Sequence, residues 1–309
     1  MKVLCFGSLN IDYTYSVDYF VRKGETLSSN GLDVFTGGKG LNQSIALAKA
    51  GAEVYHAGAI GEDGRFLLED MERAGVHTKY VDILADVRTG NAIIQRDKEG
   101  DNGILLYGGA NQKITESQAD SVLSHFSAGD YLILQNEINA LPYIMKQAHE
   151  KSMVIVLNPS PMNDEIRKLP IEYVNIFILN EVEARQILEC APDTDNSELP
   201  GLLLQRFPEA TIVLTLGGDG SICIDKDSEY RQDIYRVPIV DTTAAGDTFT
   251  GFFIGGLLKG KTRQEAMDDA SAAAAIACSR PGAAPSIPTA EELTAFKLCQ
   301  ERLLFCVGR

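Results

Sequence analysis

The chain has 309 residues, enough to bury a large core as one big α/β domain or two smaller ones. With 43 acidic against 28 basic residues its formal charge is −15, which argues against a nucleic-acid-binding surface. The six cysteines (Cys5, Cys190, Cys223, Cys278, Cys299 and Cys306) are scattered without C-x-x-C spacing and read as free thiols in a reducing cytoplasm. The four histidines (His56, His77, His125 and His149) stand far apart and form no metal-ligand pair, and no apolar run approaches membrane-spanning length. Val3–Phe6 is followed closely by Asn10 and Asp12, so it reads as a buried strand and not as a signal peptide.

Taken in order, short apolar runs with β-branched residues predict strands over Val3–Phe6, Val54–Ala57, Tyr131–Leu134, Val154–Leu157, Ile176–Leu179 and Thr211–Leu216. Helical patterns fall between several of them, over Leu41–Ala50, Gly64–Ala74, Leu141–Lys151 and Glu181–Leu188. Strands without alternation, spaced by helices, predict a mostly parallel sheet with helices on both faces. Polar and glycine residues gather where these strands end, at Gln135–Glu137, Asn158–Pro161, Asn180–Glu183 and Gly217–Gly220, where ligands bind in open α/β sheets. Two segments, 13–35 and 88–107, instead alternate polar and apolar residues, with turn signals over 98–103. They predict antiparallel strands outside the main sheet, a small insertion serving as a lid, a dimer surface or both. No repeat or long linker interrupts the chain, which reads as one domain over residues 1–309.

The first glycine-rich turn, Thr36–Ser44, opens a helix that ends at Gly51. It is neither a Walker A loop nor a G-x-G-x-x-G motif. Together with Asn10, Asp12 and Glu137 it groups carboxylates, amides and Lys39 near exposed glycine backbone, a combination suited to a polyhydroxylated ligand. The second turn, Asp241–Phe249, runs into an apolar helix in which Phe249, Phe252, Phe253 and Leu257 recur at helical spacing. That helix begins near Ala245, and small residues at Ala244, Ala245 and Gly246 leave its first amides and its positive dipole end open to an anion. Asp247 lies inside this anion site. A carboxylate beside an anion hole is what phosphoryl transfer to a hydroxyl requires.

These motifs resemble the ribokinase branch of the PfkB family of carbohydrate kinases, nearly from end to end. Gly7–Asp12, Gly37–Gln43 and Asp241–Phe249 match the family's signatures, and 24–27, 109–111, 158–161, 180–183, 215–217 and 282–288 support them. The resemblance implies a ribokinase-like fold with a small β-sheet lid, and ATP-dependent phosphorylation of the primary hydroxyl of a small sugar. D-ribose is favoured, deoxyribose, fructose or a nucleoside are alternatives, and a non-catalytic sugar-binding regulator is a remote one. It implies that Asn10, Asp12, Gly38, Lys39, Gly40, Asn42 and Glu137 hold the sugar, that Asp247 is the base, and that the Ala244–Gly246 amides form the anion hole. Asn180, Glu183, Thr215, Gly217, Gly220 and Ser271 are implied around the nucleotide and its Mg²⁺. Asp241, Thr243, Ala277, Arg280, Gly282 and Ser286 are implied around a monovalent cation, K⁺ by preference. The resemblance also implies a homodimer joined through the lid. The chain departs from the family pattern at Leu41, Ser271 and Pro281.

Overall fold

The computed structural model describes residues 1–307, with side chains described through residue 300. Strands β1 (Val3–Phe6), β4 (Val54–Gly61), β5 (His77–Leu84), β8 (Tyr131–Gln135), β9 (Val154–Asn158), β10 (Ile176–Asn180), β11 (Thr211–Thr215), β12 (Ser221–Ile224) and β13 (Glu229–Gln232) form one nine-stranded sheet in the order β13-β12-β11-β10-β9-β8-β1-β4-β5. It is parallel from β5 to β11 and closes with antiparallel β12 and β13. Both faces are covered, as β1 shows: Val3 and Cys5 enter one core, Leu4 and Phe6 the other, and all four are buried. The first core is closed by helices α1 (Lys39–Lys49), α2 (Arg65–Arg73), α7 (Ala245–Leu258) and α8 (Arg263–Cys278), through Ile45, Met71, Phe253 and Met267. On the opposite face α3 (Glu116–Leu123), α4 (Leu141–Glu150), α5 (Glu181–Leu188) and α6 (Leu199–Arg206) contribute Leu123, Ile144, Ile187 and Leu203. Helix α9 (Ala290–Val307) ends the described chain.

The strand order reverses between β1 and β8, since β4 and β5 lie to one side and β9 to β13 to the other. At such a switch point the two chains leave the carboxyl edge in opposite directions and open a crevice. Ser8 follows β1 and Glu137 follows β8. The polar positions expected at strand ends therefore gather at this edge.

The small sheet is separate, with β2 (Asn10–Ser16), β3 (Gly31–Gly37), β6 (Gly90–Arg96) and β7 (Asn102–Tyr107) in the order β3-β2-β6-β7. Its strands are not all antiparallel as expected: β2 and β6 pair in parallel, while β2–β3 and β6–β7 are antiparallel. The reason is topological. β2 follows β1 and β6 follows β5, two strands of the same polarity, so both emerge from the main sheet in one direction. The sheet also starts at Asn10 rather than Tyr13, which makes Asn10 and Asp12 part of it. Cross-strand register puts Val34, Tyr13, Ile93 and Leu105 in one row, with Leu32 beside Tyr15. Leu32, Val34, Ile93 and Leu105 are all exposed on this face, whereas Asp12 and Ala92 lie on the other.

Five cysteines are free thiols, and Cys306 lies outside the described side chains. No described helix is long and apolar enough to cross a membrane.

Candidate active site

Two helix starts face one another at the crevice. α1 begins directly after Gly38, whose φ of 95° lies in the left-handed region and suits glycine. At Gly40 a Cβ would fall 2.5 Å from the Ser8 amide nitrogen, so only glycine lets this helix start sit against the end of β1. α7 begins after Ala244, itself left-handed with φ 60°. Its Gly251 and Gly255 lie against Ala46 of α1 and Ala50 at its C-cap, where added Cβ atoms would stand 2.3 and 2.7 Å from the alanine methyls. The helices are thus close-packed along glycine, and their first turns share one pocket.

In that pocket Asp247 is only 7% exposed, and both its oxygens are held. Asn42 donates to Oδ2 at 3.0 Å and Gln43 donates to Oδ1 at 2.9 Å. The open amides differ slightly from expectation. Ala245 donates its N–H to the Thr242 carbonyl at 3.2 Å, which closes the turn. Among the described residues, the amides of Ala244, Gly246 and Asp247 find no protein acceptor and stay available to an anion. Together with Lys39, Asn158, Asn180, Glu183 and Thr215 they border a cavity of about 240 Å³. Burial alone would pull the Lys39 amine down, but the charges of Asp247, Glu137 and Glu183 outweigh it and raise it above the usual lysine range.

A second polar group, Glu137 with Asn10 and Asp12 of β2, joins α1 through the Lys39 amide. Glu137 accepts from the Lys39 amide at 2.9 Å and from the Ser8 hydroxyl, and burial raises its carboxyl against the pull of those bonds and of Lys39. Asn10 is fixed by Asn111, which donates to its Oδ1 at 2.8 Å while also bonding both backbone groups of Leu9. Asp12 differs from both. No donor reaches its carboxylate among the described residues, and burial together with the Glu137 charge pushes it up to about 7. An unsatisfied, half-buried carboxylate of this kind is ready to take a ligand hydroxyl.

Other expected residues meet only in part. Asn180 caps α5 in a reciprocal box with Glu183: its side chain accepts from the Val182 and Glu183 amides, and Glu183 accepts from its amide at 3.0 Å. Gly217, Gly220 and Ser271 do not border the cavity with Thr215. Ser271 instead ties α8 to the Asp233 carbonyl at 3.0 Å. Asp241 is brought to the carboxyl end of α8, with its amide on the Cys278 carbonyl and its carboxylate accepting from Thr243 and from the Gly282 amide at 3.1 Å. Burial would raise that carboxyl, but these hydrogen bonds hold it below the usual range. Arg280 points away to Glu292 at 2.8 Å, its amide occupying the Ala277 carbonyl, and Ser286 donates to the Ala283 carbonyl. Ser8, Gln43, Gln135, Asn111 and Asn158 were not singled out as site residues from the sequence. All sit beside the glycine motifs or in the strand-end clusters, and that adjacency is the available signal.

A buried carboxylate beside open helix amides, with a second polar group joined through α1, defines a phosphotransferase acting on a small polyhydroxylated acceptor. Comparison with known proteins agrees. Residues 1–290 match the model of the pfkB family carbohydrate kinases. The ribokinase of Haemophilus influenzae is 33% identical, over 94% of this chain and 96% of its own. Among solved structures, the ribokinase of Cryptococcus neoformans in complex with ADP is 34% identical with a TM-score of 0.83, covering 95% of this chain and 99% of that one. The ribokinase of Arabidopsis thaliana, complexed with ribose and ATP, superposes with a TM-score of 0.84 at 27% identity, covering 96% and 98%. The chain belongs to the pfkB family of carbohydrate kinases.

Asp12 gives the site a pH dependence with a defined sign. A ligand hydroxyl donating to Asp12 favours its ionised form, which predominates above about 7. By calorimetry, sugar affinity should weaken roughly ten- to thirtyfold from pH 8 to pH 5.5, and Asp12→Asn should flatten that profile. The same raised value makes the ligand-free protein lose stability as pH climbs from about 4 through about 7, because the unfolded aspartate ionises first. A wild-type affinity constant across this range contradicts the assignment.

Proposed function

We propose that this chain phosphorylates the primary hydroxyl of D-ribose at the expense of ATP, giving ribose 5-phosphate and ADP. The observation that carries the reading is Asp247, buried beside the open α7 amides in a cavity that Lys39 also lines. Asp12 and Glu137 accept hydroxyl protons from the sugar, and Asn10, Asn42 and Lys39 supply donors. Asp247 takes the proton from the primary hydroxyl as that oxygen bonds to the γ-phosphorus. The bond from phosphorus to the bridging oxygen breaks in line, and its electron pair leaves with ADP. The Ala244, Gly246 and Asp247 amides and the Lys39 ammonium meet the charge on the transferred group.

ATP fits the donor set of the cavity, a helix amino end with a lysine beside it. Among the described residues no cluster of three or more ligating side chains could hold a metal, and a magnesium ion carried by the nucleotide's own phosphates needs only one or two carboxylates. Glu183, braced by the Asn180 amide, is the carboxylate we assign to it, and the ion neutralises phosphate charge when bound. A monovalent cation, potassium by preference, belongs beside Asp241, where the carbonyl end of α8 adds the negative pole of its dipole. We read residues 1–309 as one domain, with segments 13–35 and 88–107 as a lid over the sugar. The exposed face of the small sheet, with Leu32, Val34, Ile93 and Leu105, supports a two-fold homodimer that covers it. Free scattered thiols suit a cytoplasmic setting.

Three measurements follow. In a coupled ADP-release assay D-ribose should give the highest kcat/KM of a sugar panel, and Asp247→Asn should lose about two to four orders of magnitude in turnover while still binding sugar; near-normal turnover of that variant removes Asp247 as the base. Replacing potassium by sodium at constant ionic strength should lower the rate, and full activity without potassium removes the cation site. Light scattering at micromolar concentration should report a dimer, and a fully active monomer removes the interface while leaving the lid.

A further inference from the structure

The base is held by more than the residues that touch substrate. Gln43 is fully buried, and its side-chain nitrogen donates both to Asp247 Oδ1 at 2.9 Å and to Asn158 Oδ1 at 3.2 Å. Its oxygen accepts from Gln135 Nε2 at 2.6 Å. Gln135, 1% exposed at the end of β8, gives its other N–H to Cys5 Sγ at 3.6 Å, and Asn158 gives its own amide N–H to the Ile178 carbonyl at 2.8 Å. The direction of every bond is forced. Ionised Asp247 only accepts, so Gln43 must turn its nitrogen toward it. The Gln43 oxygen then faces Gln135, which must in turn present its nitrogen. A flipped Gln43 would set three acceptors against one another at Asp247, Asn158 and its own oxygen. The price of this order is visible at Gln135 Oε1, which is buried without a partner.

Resting on Asp247 as the base, we infer that Gln43 is a positioning residue that aims its carboxylate, and that Gln135 acts through Gln43. The chain links β1, β8, β9, α1 and α7, so the Asp247 oxygen it grips is referenced to the sheet and not to the helix that bears it. Asn42 holds the other oxygen, but its own Oδ1 is buried without a partner, so that residue is not tied into the sheet as Gln43 is. Gln43 is sealed away from substrate. It therefore sets the angle at which a lone pair of Asp247 meets the hydroxyl, a quantity that turnover senses and substrate affinity does not.

The experiment compares Gln43→Met, Gln43→Glu, Gln135→Met and the Gln43→Met/Gln135→Met pair in the full-length protein, with Asp247→Asn in parallel. Methionine keeps length and burial but removes the donor. Its kcat should fall about ten- to hundredfold, with KM for sugar and for ATP within about twofold of wild type. Gln43→Glu puts an acceptor where a donor is needed and should do no better than methionine. Gln135→Met should show a smaller fall of the same kind, and the pair should be no worse than Gln43→Met alone, because both changes cut one chain. Additive losses, an unchanged kcat, or losses of kcat and KM that track a drop in Tm would overturn the inference. If Gln43→Met fails to fold, the Gln135→Met split between kcat and KM decides alone. An inactive Asp247→Asn beside a normal Gln43→Met overturns only this inference, whereas a fully active Asp247→Asn overturns the reading it rests on.

Discussion

The close approach of α1 and α7 is the constraint on which the site depends. Each helix brings one half of the chemistry in its first turn: Lys39, Asn42 and Gln43 on α1, and the open amides with Asp247 on α7. Their separation is fixed by Gly251 and Gly255 lying on Ala46 and Ala50. A methyl at Gly251 would sit 2.3 Å from that of Ala46, an overlap of the kind that costs about 1–3 kcal/mol when a packed core must absorb it. Relieving it would carry Asp247 away from Asn42 and Gln43. Glycine inside a helix ordinarily weakens it by about 1 kcal/mol relative to alanine. Here that cost is offset by a helix spacing no larger residue allows.

Given that spacing, the switch point divides the labour of the pocket. In the reading proposed above, residues after β1 and β8, with the first residues of β2, take the hydroxyl side, and those ending or following β9, β10 and β11 take the phosphate side. Lys39 and Asp247 stand between them, and the charges of Asp247, Glu137 and Glu183 keep the lysine cationic in spite of its burial. Two polar groups of the pocket are left unsatisfied. Asp12 has no donor, and Asn42 Oδ1 is buried without a partner after its nitrogen is committed to Asp247. Such groups cost free energy in the empty pocket and regain it on a ligand rich in hydroxyls.

Much of this was legible in the sequence because it rests on local rules. Continuous apolar runs marked the parallel strands, and small residues after Asp241 marked an open helix start, which the structure places at Ala245. The pairing of β2 with β6 was not legible, because alternation states that a strand is half exposed but is silent on which neighbour it meets or in which direction. β5 and β13 left weak signals, since edge strands bury too few side chains to give a clear pattern, and β12 is only four residues long. The occupied Ala245 amide and the outward turn of Arg280 depend on loop geometry that composition does not encode.

Gln43 shows most plainly why residue type alone falls short. Neighbours in a helix point about 100° apart, so Asn42 and Gln43 should not serve one target. They reach the two oxygens of one carboxylate because α7 starts beside the first turns of α1 and runs along it, so that Asp247 falls between their directions. The glycines that let α7 approach are four and eight residues beyond the aspartate, on the same side of the helix. Packing and site geometry are therefore set by one face of α7: the positions that must be small to admit α1 also determine which α1 side chains can hold Asp247.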